Sequence, residues 1–467
     1  MSISLNNETI CAICTSPGVG SISVVRLSGK DSKTIVEKIF SKKLVKQRFM
    51  YYGSFNFKKK KIDEGLCVLF KAPNSYTGEE VVELHLHGGD IIAKEIINIL
   101  QELGSNLAKP GEFTYRSYMN GKVDLLKAEA ISEMINADSA ASFKNSIVNF
   151  SGGLNKKYNN IRDLGINLLA EIESRVDFPE DIIPKLEKKN IQKLYIALDK
   201  KLKSIIEGYK KGVLINDGIN ILLLGTPNSG KSTLFNTILE EEKAIVTDIP
   251  GTTRDSLEHS IIFNGLKFKL TDTAGIRATD DSIEKIGISK SIEKAKYTDF
   301  IIILLDLSQN LKNLKKDIIR FEEILKNVPR GTILFINNKI DLLSNKKEFM
   351  KLENLKSYQN KKNIKSLNIS AKYNKNVKNI FKYVQKNANI NYKNTTESFM
   401  TSKRQFLLVT ESRQHLIESK NKFNENMPLE LVSQDIRFFL NNIAEITGEI
   451  SNNDLYDILF SKFCIGK

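Results

Sequence analysis

An octapeptide in the middle of the chain has the composition of a loop that binds phosphate. It occupies residues 225–232, reads GTPNSGKS, and follows the apolar run 221–224. Its glycines allow backbone amides to approach phosphate oxygens closely, and the N-terminus of a following helix adds partial positive charge. Lys231 supplies a charge to the outer phosphates, and Ser232 offers a hydroxyl to Mg²⁺. The sequence therefore predicts a nucleotide site between a buried strand and a helix.

Three further short motifs follow in the order expected of a guanine-nucleotide site. They are DTAG at 272–275, NKID at 338–341 and SAK at 370–372, and the first two each come after an apolar run. Asp341 can accept hydrogen bonds from N1 and the exocyclic amine of guanine, which adenine cannot offer in the same arrangement. These motifs predict GTP contacts from Asn228, Ser229, Gly230, Lys231, Ser232, Thr233, Asp272, Thr273, Ala274, Gly275, Asn338, Lys339, Asp341, Ser370, Ala371 and Lys372.

The residue that assists hydrolysis is not the usual one. Ile276 stands where Ras-like proteins carry the glutamine that orients the attacking water, and an isoleucine cannot do this. Glu284, twelve residues beyond Asp272, is the predicted catalytic carboxylate. The alternative interpretation of Glu284 is a solvated helix residue. No arginine finger can be assigned, and a second cation is another way to neutralise the developing charge.

The elements that must position these motifs change in type along the chain. Residues 1–121 combine alternating strand patterns with one helix, whose apolar stripe is predicted to include Ile91, Ile92, Ile96, Ile99, Leu100 and Leu103. Residues 124–212 and those after 383 have helical spacing, whereas 219–383 alternate buried strands with helices, which predicts a parallel sheet. The predicted fold is multidomain. An α+β domain spans 1–121, a helical domain spans 122–213 plus 384–467, and an α/β Ras-like P-loop domain is inserted at 214–383.

Composition limits the class of protein. The 467 residues are 41% hydrophobic and 27% charged, which excludes general disorder. The longest apolar run, 300–305, is too short for a membrane span, and the first residues resemble no secretory signal. Four cysteines suit a reducing, cytoplasmic location. The net charge of +15 favours a polyanion such as nucleic acid, although a chain rich in Lys, Asn and Ile could owe it to base composition.

Two small clusters of potential metal ligands are interpreted as structural. Cys11 and Cys14 form a C-x-x-C pair without the second pair that a zinc site needs. His85 and His87 share a strand face with Glu83, a spacing more often found on a partly exposed sheet face than in a metal site.

Segments spread over nearly the whole chain carry a specific resemblance. They are 72–79 (APNSYTGE), 88–89 (GG), 110–114 (PGEFT), 122–125 (KVDL), 177–179 (DFP), 247–255 (TDIPGTTRD) and 463–467 (FCIGK). With the nucleotide motifs, they make the chain resemble the MnmE/TrmE family, GTPases that modify the wobble uridine of tRNA. The resemblance implies an N-terminal domain that binds 5-formyltetrahydrofolate and mediates homodimerisation, and a G domain activated by K⁺-dependent pairing.

The resemblance also assigns residues to these ligands. It implies folate contacts from Arg26, Glu83, Lys122 and Lys467, and it places Cys464 near the folate with a catalytic role. It implies K⁺ ligands from Asn228, Thr247, Ile249 and Thr252, and Mg²⁺ ligands from Ser232 and Thr253. The further GTP contacts that it implies are Thr247, Asp248, Ile249, Pro250, Gly251, Thr252 and Thr253.

The function expected from this resemblance is a homodimeric GTPase of tRNA modification. With an FAD-containing partner, in a heterotetramer, it would add a carboxymethylaminomethyl-type group to C5 of the wobble uridine. One alternative is an Era-like ribosome-assembly GTPase without base-modifying chemistry of its own. Another is a folate transferase that its G domain merely regulates. Folate binding by residues 1–121 distinguishes the expected function from the first alternative, and dependence of modification on GTP hydrolysis distinguishes it from the second.

Overall fold

The structure is a computed structural model, and it describes residues 8–177, 188–241, 258–272, 298–326, 332–390 and 397–449, together with Phe463 and Gly466. The chain divides into two compact units. The first comprises Met1–Asn136, Asn149–Lys203 and Ser402–Lys467, and the second comprises Ala137–Val148 and Ser204–Thr401. Each unit contains one six-stranded sheet.

The first unit begins with a mostly antiparallel sheet. Its strands are β1 (Ile10–Ile13), β2 (Ile22–Ser28), β3 (Tyr51–Phe57), β4 (Lys60–Phe70), β5 (Val81–His87) and β6 (Asn106–Leu107), and the short helix α1 (Ser32–Val36) follows β2. The spatial order is β3-β4-β5-β2-β1-β6, with only β1 and β6 parallel among these pairs. Most neighbouring strands of this sheet are therefore paired antiparallel, and β2 is paired with β5.

The predicted helix of this domain is α2 (Asp90–Glu102). Its buried residues are Ala93, Ile96, Ile97, Ile99 and Leu100. The prediction that Ile91 shares this stripe is wrong, since Ile91 is 85% exposed. The reason is helical geometry: Ile91 precedes Ile96 by five residues, about 140° around the helix axis.

Long helices form the rest of the first unit. The short helix α3 (Glu112–Met119) is followed by α4 (Leu125–Asn136), α5 (Ala140–Phe150), α6 (Gly153–Asp177) and α7 (Lys188–Asn216). Two more helices lie near the C-terminus, α12 (Lys403–Asn424) and α13 (Leu429–Thr447). Of these helices, α5 and the end of α7 belong mainly to the second unit. Gly165 of α6 lies directly against Phe439 of α13, where a Cβ would overlap the ring. Such a close approach of two helices requires a glycine.

A buried polar cluster joins α12 to α4 and α13. The Arg404 guanidinium donates to Glu129 Oε1 over 3.2 Å and to the Ile446 carbonyl over 3.3 Å. Gln405 also donates to Glu129, and it accepts from the Tyr158 hydroxyl over 3.3 Å. Burial raises the pKa of Tyr158 above its ordinary value, with the Glu129 carboxylate adding to the effect. Every polar group here has a partner, which buried groups require for stability.

The second unit contains the predicted parallel sheet. Its strands are β7 (Ile219–Gly225), β8 (Glu258–Phe263), β9 (Leu266–Asp272), β10 (Phe300–Asp306), β11 (Ile333–Asn338) and β12 (Ser366–Asn368), in the order β12-β11-β10-β7-β9-β8. Its helices are α8 (Lys231–Glu241), α9 (Leu311–Ile324), α10 (Lys346–Lys361) and α11 (Lys378–Asn387). The apolar runs 221–224 and 300–305 are confirmed as strand sequences, and the apolar runs before DTAG and NKID lie in β9 and β11. The antiparallel β8 escaped prediction, although Asn264 and Gly265, both at positive φ, form its turn to β9.

The register of this sheet brings three strand ends together. Gly225 at the end of β7 pairs with Leu304 in β10, and Asp306 at the end of β10 pairs with Asn338 at the end of β11. Since the strands are parallel, the loops after β7, β10 and β11 start at one edge of the sheet, where open α/β sheets bind ligands. Among the helices that the structure describes, none combines the length and apolar character that a bilayer crossing requires.

Gly65 in β4 provides a test of the first sheet. A Cβ at this position would overlap the backbone carbonyl oxygen of His85 in β5. We expect Gly65→Ala to lower the local free energy of unfolding by about 1–3 kcal/mol, as overpacking does, measured by hydrogen exchange of β4 and β5 amides. In the control Gly20→Ala the nearest atom is 3.8 Å from the new Cβ, so protection should be retained. Equal protection in both variants would contradict this packing.

Candidate functional site: the nucleotide-binding edge

The loop between β7 and α8 is held in the shape of a phosphate cradle. A Cβ at Gly225 would lie 2.8 Å from the Leu304 carbonyl oxygen, and one at Gly230, where φ is +95°, would overlap the Asn338 side chain. Asn228, between these glycines, also has positive φ, at 60°. Both glycines are therefore required by close contacts, which is the physical basis of the GTPNSGKS spacing.

The charged end of this loop is Lys231, the first residue of α8. Its ammonium donates to the carbonyls of Gly225 and Thr226 over 2.8 and 3.0 Å. Lys231 therefore lies over the loop, where it can reach phosphate oxygens. The side chains of Ser232 and Thr233, in the same first turn, are exposed, as is Asn228. The positive end of the α8 dipole lies at the same place, which favours an anion.

Asn338 connects three of the predicted motifs. Its side chain is 2% exposed. The Nδ2 group donates to the Ser229 carbonyl over 2.9 Å, and Oδ1 accepts from the Ala371 amide over 3.0 Å. The Ala371 carbonyl in turn accepts from Thr237 of α8 over 2.8 Å. One amide side chain thus fixes the phosphate loop relative to the NKID and SAK segments.

The predicted base-binding residues follow β11 and β12. Asp341 is exposed and accepts a hydrogen bond from Ser370, whose backbone is buried beside Ala371. Lys372 is exposed next to them. An exposed carboxylate oriented by a buried hydroxyl is suited to accept the two neighbouring N–H groups of guanine.

Asp306, at the end of β10, is part of this site and was not predicted. It is 5% exposed and accepts from Lys339 Nζ over 2.6 Å and from the Ser308 amide and hydroxyl over 2.8 and 2.7 Å. Burial alone would raise the pKa of Asp306, but the hydrogen bonds from Lys339 and Ser308 outweigh it and lower the pKa below its ordinary value. The available signal was a carboxylate that ends the uniformly apolar run 300–305.

Part of the predicted site lies outside the described residues. Asp272 ends β9 opposite Leu223 of β7, and only its backbone is described. The other predicted residues outside the described chain are Thr247, Asp248, Ile249, Pro250, Gly251, Thr252, Thr253, Thr273, Ala274, Gly275, Glu284, Cys464 and Lys467. Their roles stay predictions.

A second cluster of predicted residues lies in the first unit, on the β2–β5 pair. Arg26 and Glu83 are directly opposite each other in the register, and Arg26 Nε donates to Glu83 Oε1 over 2.9 Å. The guanidinium lies 5.3 Å from the Tyr76 ring and 5.6 Å from the Phe113 ring. Burial would lower the pKa of Arg26, but the acidic groups of Cys14 and Glu83 outweigh it and raise the pKa. The aromatic rings were not predicted, although they lie in the APNSYTGE and PGEFT segments.

Cys14 and the chain terminus meet beside this pair. The Cys14 Sγ donates to the Gly466 carbonyl over 3.1 Å. Cys11, its C-x-x-C neighbour, is fully buried in β1, and burial raises the pKa of its thiol. His85 Nε2 lies 3.7 Å from Glu83 Oε2, whereas His87 Nδ1 bonds the buried Asp63 over 2.6 Å.

Lys122 occupies the loop after α3 and is exposed. Its Cε lies 3.4 Å from the position of a Cβ on Gly78. Gly78 belongs to the same loop as Tyr76, which stacks on Arg26. The structure therefore brings Arg26 and Glu83 into direct contact and places Lys122 along the loop that contributes Tyr76.

Comparison with known proteins identifies the family. A family model described as the MnmE helical domain matches residues 125–464, and one described as the N-terminus of the GTP-binding protein TrmE matches 9–122. A protein of Fervidobacterium nodosum described as tRNA modification GTPase MnmE is 37% identical over 99% of this chain and 98% of its own length. The chain belongs to the MnmE family.

Other MnmE proteins agree over the full length. The tRNA modification GTPases MnmE of Christiangramia forsetii and Thermotoga maritima are 35% and 34% identical, over 99% and 98% of this chain and 99% and 100% of theirs. The predicted fold class is thereby confirmed: an α+β N-terminal domain, a helical domain and a Ras-like P-loop domain. The predicted domain boundaries at 121, 213 and 383 stay predictions.

Asn338 provides a test of the nucleotide site. Asn338→Ala would leave the Ser229 carbonyl and the Ala371 amide unpaired in the interior, at a cost of about 1–3 kcal/mol. We expect GDP affinity, measured by calorimetry, to fall about tenfold or more. The control is Asn360→Ala at an exposed position of α10, which should bind GDP like the unaltered protein. Unchanged affinity in Asn338→Ala would show that the bridge does not organise the site.

Proposed function

We propose that this protein hydrolyses GTP and acts in the modification of tRNA. The observation that carries the proposal is the Asn338 bridge, which unites a phosphate loop with a guanine-type carboxylate at one sheet edge. The full-length similarity to proteins described as tRNA modification GTPases supports the tRNA part. A tRNA substrate would place the protein in the cytoplasm.

The arrangement suggests how the chain's own residues would act on GTP. Lys231 would exchange its carbonyl partners for phosphate oxygens, and Asp341 would accept from the guanine base. Lys339 would lie along the base while Asp306 holds its ammonium. Glu284 would orient the attacking water, because the position after DTAG is Ile276.

Two cations fit the side chains at the loop. The Ser232 hydroxyl is exposed in the first turn of α8 and offers the hard oxygen that Mg²⁺ prefers; Thr253 would be its second protein ligand. Asn228 presents a side-chain amide oxygen at the exposed tip of the loop and would bind K⁺ with carbonyls of Thr247, Ile249 and Thr252. Bound there, the cations would neutralise charge that develops on the phosphates. We propose that the K⁺ site is completed when the G domains of a homodimer pair.

Potassium dependence tests this assignment. We expect GTP hydrolysis to be at least about tenfold faster in K⁺ than in Na⁺ of equal ionic strength, because K⁺ would stabilise the charge of the transition state. A tenfold difference in rate corresponds to about 1.4 kcal/mol of activation free energy. Asn228→Ala should abolish the difference between the two salts. Asn236→Ala, at an exposed position on α8, is the control. Equal rates in both salts, unaffected by either substitution, would exclude K⁺ at Asn228.

The Arg26–Glu83 cluster is the proposed site for 5-formyltetrahydrofolate. Arg26 bonds only to Oε1 of Glu83 in the contacts described, so Oε2 can accept from the guanidine-like edge of a pterin. Tyr76 and Phe113 offer ring faces, and Lys122 or Lys467 would bind the acidic tail. Bound there, the folate would supply a one-carbon unit, and Cys464 would lie close to it.

The same proposal includes the partners of the reaction. An FAD-containing protein would join the homodimer in a heterotetramer that adds a carboxymethylaminomethyl-type group to C5 of the wobble uridine. GTP hydrolysis would time a rearrangement of the G domains. An Era-like role in ribosome assembly would leave residues 9–122, which match the TrmE N-terminal model, without a purpose.

A change that removes the Glu83 charge and keeps the side-chain shape tests the folate site. We expect Glu83→Gln to weaken binding of 5-formyltetrahydrofolate at least about tenfold, because a charge-assisted hydrogen bond is worth about 1.5–3 kcal/mol. Calorimetry of the full chain measures this. Glu64→Gln, an exposed carboxylate of β4 paired with Lys61 and Tyr52, is the control. Full affinity in Glu83→Gln would place the folate elsewhere.

A further inference from the structure

One face of α7 carries a row of exposed lysines. These are Lys189, Lys193, Lys200 and Lys203, here called the lysine row. At 100° per residue they fall within about 80° of the helix circumference. The opposite face is buried in the first unit through Ile191, Tyr195, Leu198 and Leu202. The row therefore points away from the core and extends about 21 Å along the helix, at 1.5 Å per residue.

Between residues 188 and 203 the face of the row carries no acidic side chain, and the next one on that face is Glu207, one turn beyond Lys203. Between residues 188 and 203 the helix has one acidic side chain, Asp199, and this is bonded to Arg413 over 2.7 Å. Lys189 and Lys193 are four residues apart and Lys200 and Lys203 three apart, and like charges at these spacings destabilise a helix.

A merely solvated lysine-rich helix of this protein has a different pattern. In α10, Glu348 and Glu353 lie among the lysines. The α10 pattern is typical of a helix whose charged face only meets water. Lysine abundance alone accounts for the number of lysines on α7 but not for the position of four of them on one face between residues 189 and 203.

We propose that the lysine row binds the sugar-phosphate backbone of the tRNA. This inference rests on the proposed function and names the surface that the substrate uses. Phosphates carry the charge that complements four ammonium groups for which the described part of the chain shows no acidic partner. Such contacts position a nucleic acid without reading its bases. Aromatic side chains for base stacking are absent from the described face at 189–203, where Tyr195 points into the core. Ile196 is the one large apolar side chain exposed there, too little for insertion into lipid.

The test compares two fourfold variants of the full chain. The row variant changes Lys189, Lys193, Lys200 and Lys203 to Gln. The control variant changes four exposed α10 lysines to Gln: Lys346, Lys347, Lys356 and Lys361. Binding of an unmodified tRNA transcript with a wobble uridine is measured from 50 to 300 mM KCl. Each lost phosphate contact lowers the slope of log K against log salt by about 0.7–0.9, so the row variant should lose about 3 units of slope. Its affinity at 100 mM salt should fall at least about tenfold, and GTP hydrolysis without tRNA should be retained.

The outcomes separate this inference from the proposed function. Equal slopes in the row variant and the unaltered protein would overturn the inference and leave the proposed function intact. An equal loss of slope and of tRNA affinity in the row variant and the control variant would also overturn the inference, since net charge alone would then explain binding. Loss of binding to vesicles of anionic lipid, with tRNA binding retained, would make the row a membrane contact instead. If the unaltered protein binds no tRNA at any salt concentration, the proposed function itself fails.

Discussion

A single buried amide, that of Asn338, joins the two loops that form the nucleotide edge. Its donor and its acceptor both go to backbone groups, on the phosphate loop and on the segment after β12. Both backbone groups belong to loops, and the sheet register fixes only where these loops begin. Without the bridge, the strand ends would still be aligned, but the loops could move relative to each other. Precise placement of phosphate and base contacts therefore depends on one side chain with two satisfied hydrogen bonds.

Three charged groups of the two candidate sites already have partners within the protein. Lys231 donates to carbonyls of its own loop, Lys339 to Asp306, and Arg26 to Glu83. An anionic ligand would thus replace partners that already exist, so binding is an exchange of hydrogen bonds whose net free energy is smaller than the sum of the new contacts. This exchange also keeps the unliganded sites from leaving buried charges without partners, which is costly in a low-dielectric interior.

The sequence predicted those features that are local in the chain. Strand type followed from apolar runs such as 300–305, and the loop motifs followed from glycine requirements that the contacts at Gly225 and Gly230 explain. Features that join distant segments were missed. Asp306 meets Lys339 across 33 residues, and Cys14 meets Gly466 across 452, and nothing in either local sequence specifies the partner. Asp341 and Asn338 were predicted because their motif has fixed spacing, but the role of Asn338 as a bridge needed three-dimensional register.

The charge of the chain also shows that the sequence gives a total, whereas the fold gives the positions of the charged residues. The net charge of +15 is compatible both with a nucleic-acid partner and with a biased composition, and the sequence total cannot separate them. The arrangement of the lysines on the fold can separate these two explanations. A biased base composition places lysines without regard to the fold, whereas a binding surface collects them on one side. On α10 glutamates lie among the lysines, whereas on α7 four lysines between 189 and 203 share the face opposite the buried residues. Repulsion between like charges on the α7 face costs about 0.2–0.5 kcal/mol per pair, and a bound polyanion would relieve it at several positions at once.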